Sequence, residues 1–126
     1  MKKNLIYVIL GLAPFIAYYF YNNFFSAEAL VGTYVNRNFH YQVLLVDIPY
    51  ERDTLRLFEN NKFSSTFWGN GTYKLKYSPM GTRIDLTYGY EFGKAGYSTR
   101  VTRRFGLNPK IILNDDQNHY LEKCNP

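Results

Sequence analysis

The stretch Thr72–Tyr88, TYKLKYSPMGTRIDLTY, decides the fold class of this chain. It contains two runs in which apolar and polar residues alternate, and the turn residues Ser78–Gly81 separate them. Alternation with a period of two is typical of a strand that has one face buried and the other in water. The residues predicted to point inward are Tyr73, Leu75, Tyr77, Ile84, Leu86 and Tyr88. The stretch therefore predicts two antiparallel strands of a sheet or small barrel.

Similar apolar runs, separated by turn residues, continue on both sides of this stretch. The predicted turns are rich in Asn, Gly and charged residues: Glu59–Lys62, the two-residue hairpin Asn70-Gly71, Gly93–Gly96 and Asn114–Asn118. Further strands are expected at VGTYV near residue 33, QVLLVDI near residue 45 and YSTRVTRRF at residues 97–105. Residues 26–126 thus predict a mainly β domain, a small antiparallel barrel or meander of about eight or nine strands.

The N-terminal segment differs from the rest of the chain because it is almost entirely apolar. Leu5–Tyr21 contains no charged residue and no side-chain amide, and Lys2 and Lys3 precede it. A helix of about 17 to 21 residues spans roughly 26 to 32 Å, close to the hydrocarbon thickness of a bilayer. We therefore expect residues 1–25 to form one transmembrane helix that anchors the β domain.

The predicted anchor residues include Leu5, Ile9, Phe15, Tyr18 and Phe20. Position 16 is not counted among the aromatic anchor residues, because it is an isoleucine, Ile16. The aromatic anchor residues of the segment are therefore Phe15, Tyr18 and Phe20.

A cleaved signal peptide is the alternative interpretation of this segment. Ala27-Glu28-Ala29 offers small residues in the arrangement that a signal peptidase recognises, with cleavage after Ala29. The aromatic cluster Tyr18–Tyr21, in contrast, is typical of the belt at a membrane interface and favours a retained anchor. In both cases the two leading lysines favour an inside N-terminus, so the β domain is expected in the periplasm or outside the cell.

Charge and cysteine content disfavour several classes of function. The net charge is +5, from 15 Lys and Arg against 10 Asp and Glu, and two of the lysines belong to the N-terminal segment. This mild excess, without a basic stripe, disfavours nucleic-acid binding. The single cysteine, Cys124, and the distant histidines, His40 and His119, lack the spacing of metal ligands, so neither a metal nor another cofactor is expected. Both histidines are expected on a sheet surface or in a loop.

Catalytic residues are not indicated by any local motif. The chain contains no GxSxG nucleophile elbow, and we assign no catalytic residue. Carboxylates such as Asp47, Glu51, Asp53 and Glu59 would form a hydrolytic pair only if the fold brought two of them within about 5 to 9 Å. Their expected role is to keep the turns soluble.

The first candidate binding surface is the basic strand at residues 97–105. Alternation places Arg100 and Arg104 on one face, and Arg103 on the more apolar face. Arginines beside aromatic residues suit acidic groups of a protein, lipid head group or glycan. The alternative is a solvated strand face whose arginines pair with acidic residues of neighbouring strands, such as Asp85 or Glu91.

The second candidate is aromatic. Trp68 and Phe67 adjoin the glycine-rich stretch Gly69–Gly71, which is expected at the rim of the barrel. Large aromatic residues at such positions are frequent anchors of protein interfaces, although filling of the core is their commoner role.

The run Gly32-Thr33-Tyr34 and the later runs GTYKL and IDLTY give the chain a recurring strand pattern. Over residues 30–123 this pattern resembles the small lipocalin-like β-barrel domains of bacterial envelope proteins. The resemblance implies a closed or nearly closed antiparallel barrel, which can hold an internal pocket and usually lacks catalysis. It supplies no shared motif from which binding residues can be transferred.

Together these features predict a membrane-tethered, non-enzymatic binding module of the bacterial envelope. The expected location is the bacterial inner membrane, crossed once, and the expected partners are the membrane and another envelope protein or an amphipathic ligand. Immunity proteins, enzyme inhibitors and accessory subunits of membrane complexes all fit this plan. Two alternatives remain: a lipocalin-type carrier with an apolar cavity, and an envelope hydrolase whose acid and base meet only in the fold.

Overall fold

The computed structural model describes residues 2–38, 48–49, 51–116 and 118–124. Its helices are α1 (Lys2–Asn23) and the short α2 (Ala27–Leu30). Its strands are β1 (Gly32–Arg37), β2 (Thr54–Leu57), β3 (Lys62–Ser65), β4 (Gly69–Ser78), β5 (Gly81–Tyr90), β6 (Gly93–Thr102), β7 (Lys110–Asn114) and β8 (His119–Lys123). The predicted fold class, a mainly β antiparallel barrel preceded by one long apolar helix, is confirmed. Most of the predicted strand QVLLVDI lies outside the described residues.

Within the described part of the chain, eight strands form a closed antiparallel barrel in sequence order, and pairing of β1 with β8 closes it. In the β4–β5 hairpin, Tyr73 pairs with Leu86 and Leu75 pairs with Ile84, as the alternation predicts. Tyr73, Ile84 and Leu86 are buried. Tyr77, which the alternation also places on the inner face, lies at the rim next to the end of β4 and is 56% exposed.

The up-and-down order of the strands gives the barrel two distinct ends. We call the end where α1 and α2 lead into β1 the anchor end; it also carries the β2–β3, β4–β5 and β6–β7 connections. The opposite end, which we call the far end, carries the β1–β2, β3–β4, β5–β6 and β7–β8 connections. This division decides which candidate residues lie beside the N-terminal helix.

The predicted hairpin turn at Asn70-Gly71 is wrong. The chain turns at Thr66–Trp68 instead, and both predicted turn residues belong to β4. A Cβ atom on Gly71 would lie 2.0 Å from the Thr87 carbonyl oxygen and 2.7 Å from the Phe63 ring. The glycine is therefore required by close packing between strands, and it does not form the turn.

The predicted turn at Gly93–Gly96 is also wrong. The chain turns at Glu91–Phe92, and β6 begins at Gly93, whose φ of 130° lies in a region that favours glycine. As a result β6 begins and ends earlier than predicted. Arg103 and Arg104 follow this strand and lie in the β6–β7 loop at the anchor end.

Buried apolar side chains from every strand fill the described part of the barrel interior. The cluster comprises Phe25, Leu30, Tyr34, Ile48, Leu55, Leu57, Phe63, Trp68, Tyr73, Ile84, Leu86, Val101, Ile111, Leu113 and Leu121. Full burial of one such side chain contributes roughly 1.5 to 3 kcal/mol. Phe25 and Leu30 precede the first strand, so the segment that follows α1 belongs to the core of the barrel.

Candidate functional site

The long helix α1 projects from the anchor end of the barrel. Residues 2–21 are exposed, and the predicted anchor residues Leu5, Ile9, Phe15, Tyr18 and Phe20 are each more than half exposed. The helix is long and apolar enough to cross a membrane. Its apolar surface is therefore not used to build the core of the barrel.

Position 16 of α1 carries the aliphatic side chain of Ile16, so this position supplies no phenylalanine to the anchor. Ile16 is 53% exposed, like the residues around it on the helix. It belongs to the apolar surface of α1 as an isoleucine, whereas Phe15 beside it supplies the aromatic ring and is 75% exposed.

Arg103 fixes the C-terminal end of α1 to the barrel. Its guanidinium carbon lies 3.6 Å from the centroid of the Tyr21 ring and 4.9 Å from that of the Phe25 ring. Its Nε atom donates a hydrogen bond to the Tyr21 carbonyl oxygen (2.8 Å), and its backbone N–H donates one to the Asn22 carbonyl oxygen (2.9 Å). A cation at this position satisfies carbonyl groups that the last turn of a helix leaves unpaired and complements the helix dipole. The predicted binding residue thus has an intramolecular partner.

Side-chain hydroxyl groups complete this junction. The Thr82 hydroxyl donates to the Asn23 carbonyl oxygen (2.9 Å) and accepts from the Phe25 N–H (3.1 Å). The Tyr77 hydroxyl donates to the Phe25 carbonyl oxygen, and the Tyr19 hydroxyl donates to that of Pro79, both at 2.5 Å. Because backbone groups on both sides of the helix end are held, α1 is mounted on the barrel through defined contacts.

The peptide bond considered as a cleavage site lies inside this mounted segment. Ala29 belongs to α2, whose N-cap residue Ser26 accepts a hydrogen bond from the Ala29 N–H (3.2 Å). Cleavage after Ala29 would separate the buried Phe25 from the barrel core. It would also remove the Ala29 carbonyl oxygen, which accepts a hydrogen bond from Lys123 (3.0 Å).

The aromatic candidates Phe67 and Trp68 lie at the far end, in the β3–β4 turn. Trp68 is buried and stacks on Tyr97 with a centroid distance of 5.4 Å, so it fills the core. Phe67 packs edge-on against Trp68 and remains 43% exposed. On the neighbouring β5–β6 turn, Phe92 is 83% exposed. The far end therefore presents two aromatic side chains on adjacent hairpins.

Asp53 holds the β3–β4 turn in place from inside the barrel. Its carboxylate accepts hydrogen bonds from the Ser65 hydroxyl (3.0 Å) and the Phe67 N–H (3.1 Å), and the Ser65 oxygen accepts one from the Trp68 N–H (3.1 Å). The side-chain oxygen of Asn36 accepts a hydrogen bond from the Asp53 N–H (2.7 Å). The expectation that Asp53 solubilises a turn is wrong, because Asp53 is 2% exposed. No local motif marks this role, since the partners meet only through strand pairing.

Arg100 lies on the outer wall of the barrel and forms an ion pair with Asp115. Asp85, which sequence reasoning offered as an arginine partner, instead pairs with Lys76 at 2.8 Å and accepts a hydrogen bond from the Ser98 hydroxyl at 2.5 Å. The Lys76 ammonium group, and next the Ser98 hydroxyl, lower the pKa of the Asp85 carboxyl.

The five predicted binding residues do not form one cluster. Phe67 and Trp68 lie at the far end, Arg103 and the exposed Arg104 at the anchor end, and Arg100 on the wall between the two ends. The exposed members of the set, Phe67, Arg100 and Arg104, therefore lie at three separate places on the barrel. Sequence reasoning missed Phe92 at the far end, because the turn that exposes it was placed two residues too late.

Comparison with known proteins adds no family to this description. No family model, curated protein or solved structure matches the chain. Within residues 2–38, 48–49, 51–116 and 118–124, no group of three or more His, Cys, Asp and Glu residues is arranged to hold a metal ion. His119, which was expected on a surface, is buried in β8, and His40 lies outside the described residues.

The described cavities include an open groove beside the β2–β3 turn. It has a volume of about 890 Å³ and is lined by residues of the β2–β3 turn, β3 and β4, among them Phe58, Lys62 and Asn70. This open groove, which is lined in part by polar and charged residues, differs from the enclosed apolar cavity that a lipocalin-type carrier requires.

Proposed function

We propose that this protein is a membrane-tethered, non-enzymatic interaction module, built as a lipocalin-like barrel that binds another protein through its far end. The observation that carries the proposal is that an apolar, membrane-length helix is attached to one end of the barrel by hydrogen bonds to Arg103, Thr82 and Tyr77. With α1 in a bilayer, the far end is the surface directed away from the membrane. Phe67 and Phe92 then face a partner.

The retained anchor is favoured over a cleaved signal peptide by the junction. Phe25 is buried in the core and precedes Ala29, so cleavage after Ala29 would remove a core residue. Arg103 stacks on Tyr21, and this contact would also be lost. We propose that α1 remains attached, and that Lys2 and Lys3 keep the N-terminus inside, with the barrel on the outer face of a bacterial cytoplasmic membrane.

The far end has the features of a protein-binding surface. Exposed aromatic residues on rigid turns are typical interface anchors because they bury a large area at a small cost in conformational entropy. Phe67 meets this description, since the Asp53 carboxylate holds its backbone N–H. Tethering raises the effective concentration of such a small module near a membrane-bound partner. An immunity protein, an inhibitor or an accessory subunit would work in this way.

The carrier and hydrolase alternatives receive less support from the geometry. A carrier needs an apolar interior that is open to ligand, whereas buried side chains from all eight strands occupy the interior described. A hydrolase needs two convergent titratable groups, whereas the buried Asp53 uses both carboxylate oxygens to hold the β3–β4 turn.

Site-specific photocrosslinking in membranes tests the proposal. A photoreactive phenylalanine analogue is introduced at Phe67 or Phe92 of the full-length chain, and at Thr87 on the outer wall as the control. We expect adducts of the same mass from positions 67 and 92 and none from 87. Phe67→Ala should lower the yield of the adduct formed at position 92. Equal labelling at 87, or no adduct at the far end in cells that express the native neighbours, would contradict a far-end interface.

A further inference from the structure

The barrel has a strongly asymmetric distribution of charge. We define the anchor half as α2, the anchor-end connections and the half of each strand next to them. It contains every Lys and Arg after Ser26 except Arg37, Arg52 and Lys94, which makes ten basic residues. Its four acidic residues are Glu28, Glu59, Asp85 and Glu122, so its net charge is +6.

The far half has the opposite sign. Its three basic residues are outnumbered by five described acidic residues, which gives a net charge of −2. The acidic residues are Glu51, Asp53, Glu91, Asp115 and Asp116. The positive half of the molecule is therefore the half that carries α1.

Three of the cations in the anchor half lie side by side on the outer wall. Lys76 pairs in register with Arg83, and Arg83 pairs with Arg100. Neighbouring strands are about 4.8 Å apart, and like charges directly opposite each other destabilise a sheet. Asp85 and Asp115 offset this repulsion only in part, because they are two carboxylates against three cations and surface ion pairs are weak. A row of this kind suits an anionic surface.

Exposed apolar side chains extend from the same end. Met80 in the β4–β5 turn is 86% exposed, and Phe105 and Leu107 in the β6–β7 loop are 69% and 54% exposed. These two connections flank the end of α1, because Tyr19 bonds to Pro79 and the Tyr18 ring stacks on Phe105 with a centroid distance of 6.2 Å. The apolar surface of α1 thus continues onto the rim of the barrel.

The contacts with α1 fix the depth of this rim relative to a bilayer. Tyr18–Tyr21 form the aromatic cluster at the C-terminal end of the membrane-length helix, and such clusters lie at the level of the lipid head groups. Phe105 touches Tyr18 and Tyr21, and the β4–β5 turn bonds to Tyr19. These connections must lie at the same level as the tyrosines.

We propose that the anchor end of the barrel docks directly on the bilayer, with Met80, Phe105 and Leu107 inserted at the interface, and that the positive charge of the row Lys76–Arg83–Arg100 attracts anionic lipid phosphates. This proposal rests on the proposed anchoring by α1 and specifies the surface that anchoring presents to lipid. Basic residues near an anionic membrane are attracted to it within about a Debye length. Docking orients the far end away from the membrane.

A depth measurement with site-specific fluorophores tests the docking. The full-length Cys124→Ser variant carries one new cysteine at Met80, Leu107, Phe92 or Ile9, is labelled, and is placed in nanodiscs. The lipid is phosphatidylcholine alone or an equal mixture with phosphatidylglycerol. Quenching by a lipid-attached nitroxide and by aqueous iodide is then compared. Trp68 fluorescence, which reports on the far end of the core, checks that each variant is folded.

We expect labels at positions 80 and 107 to be quenched by the lipid probe at least about threefold more than the label at 92, which iodide should reach. The label at 9 tests anchoring alone. Lipid quenching at 9, with labels at 80 and 107 behaving like that at 92, would overturn docking and leave the anchor intact. Absence of lipid quenching at 9 would overturn the anchoring itself, and docking with it.

The role of the cation row has its own matched control. Lys76→Gln/Arg83→Gln/Arg100→Gln removes three charges from the anchor half, and Arg37→Gln/Arg52→Gln/Lys94→Gln removes three from the far half. We expect phosphatidylglycerol to increase quenching of the label at position 80 by the lipid-attached nitroxide about twofold, and only the first triple variant to abolish that increase. An unchanged lipid dependence in the first triple variant would overturn the contact with anionic lipid.

Discussion

Phe25→Ala is predicted to destabilise the barrel although Phe25 precedes its first strand. The side chain is 3% exposed within the core cluster, and the Arg103 guanidinium lies 4.9 Å from its ring centroid. Replacement of a buried Phe by Ala costs about 3 to 5 kcal/mol, from lost transfer free energy and the cavity that remains. The backbone hydrogen bonds to Thr82 and from Tyr77 persist in the variant, so we expect about 3 kcal/mol, the lower limit.

Urea unfolding of the full-length protein in nanodiscs measures this loss. Trp68 is the only tryptophan and lies at the far end of the core, so its fluorescence reports on the whole barrel. With a denaturant slope of about 1.5 kcal/mol per molar, the midpoint should fall by about 2 M. Phe24→Ala is the matched control, because Phe24 is half-buried and stacks on Phe20 within the N-terminal segment. Equal midpoints for the two variants would refute the assignment of Phe25 to the barrel core.

Three further substitutions test separate features of the structure. Gly71→Ala should lower the free energy of unfolding in urea by at least about 2 kcal/mol, because the added Cβ would overlap the Thr87 carbonyl oxygen. The control is Gly89→Ala, which has open space around it and should change the free energy of unfolding by less than about 0.5 kcal/mol. Asp85→Asn should cost less than about 1 kcal/mol at neutral pH. Because the folded-state pKa of Asp85 is lowered, this contribution is complete above the unfolded pKa near 3.9 and is lost as pH falls through the folded-state pKa. The free energies of unfolding of the native protein and of Asp85→Asn, measured against pH, should therefore converge in acid. A difference that persists in acid would contradict the ion pair as its source. Arg103→Lys keeps the charge but loses the stacked guanidinium, so amide hydrogens in the last turn of α1 should exchange faster by mass spectrometry, and unchanged exchange would contradict the clamp.

The sequence was sufficient to predict the barrel and the long helix because both rest on periodic patterns. Alternation in Thr72–Tyr88 fixes which residues of β4 and β5 face inward, and the structure pairs Tyr73 with Leu86 accordingly. The apolar run Leu5–Tyr21 requires no knowledge of tertiary contacts. Patterns of this kind depend only on local spacing.

The features that were missed depend on contacts between distant residues. Asn70-Gly71 is a common hairpin signal, but the Phe63 ring and the Thr87 carbonyl oxygen make Gly71 necessary within a strand. Asp53 is twelve residues from Ser65, and only the pairing of β2 with β3 brings them together. Arg103 and Tyr21 are separated by 82 residues, so no local pattern predicts their contact.

The intact mass of the protein recovered from membranes tests the central claim most directly. Native protein is expressed, membranes and the soluble extracytoplasmic fraction are separated, and each is analysed by mass spectrometry. A retained, mounted helix predicts the full-length chain in the membrane fraction, because Phe25 and the Arg103 contact tie α1 to the barrel. A soluble species that begins at Leu30 would contradict this account, since a barrel without Phe25 would then be the mature protein.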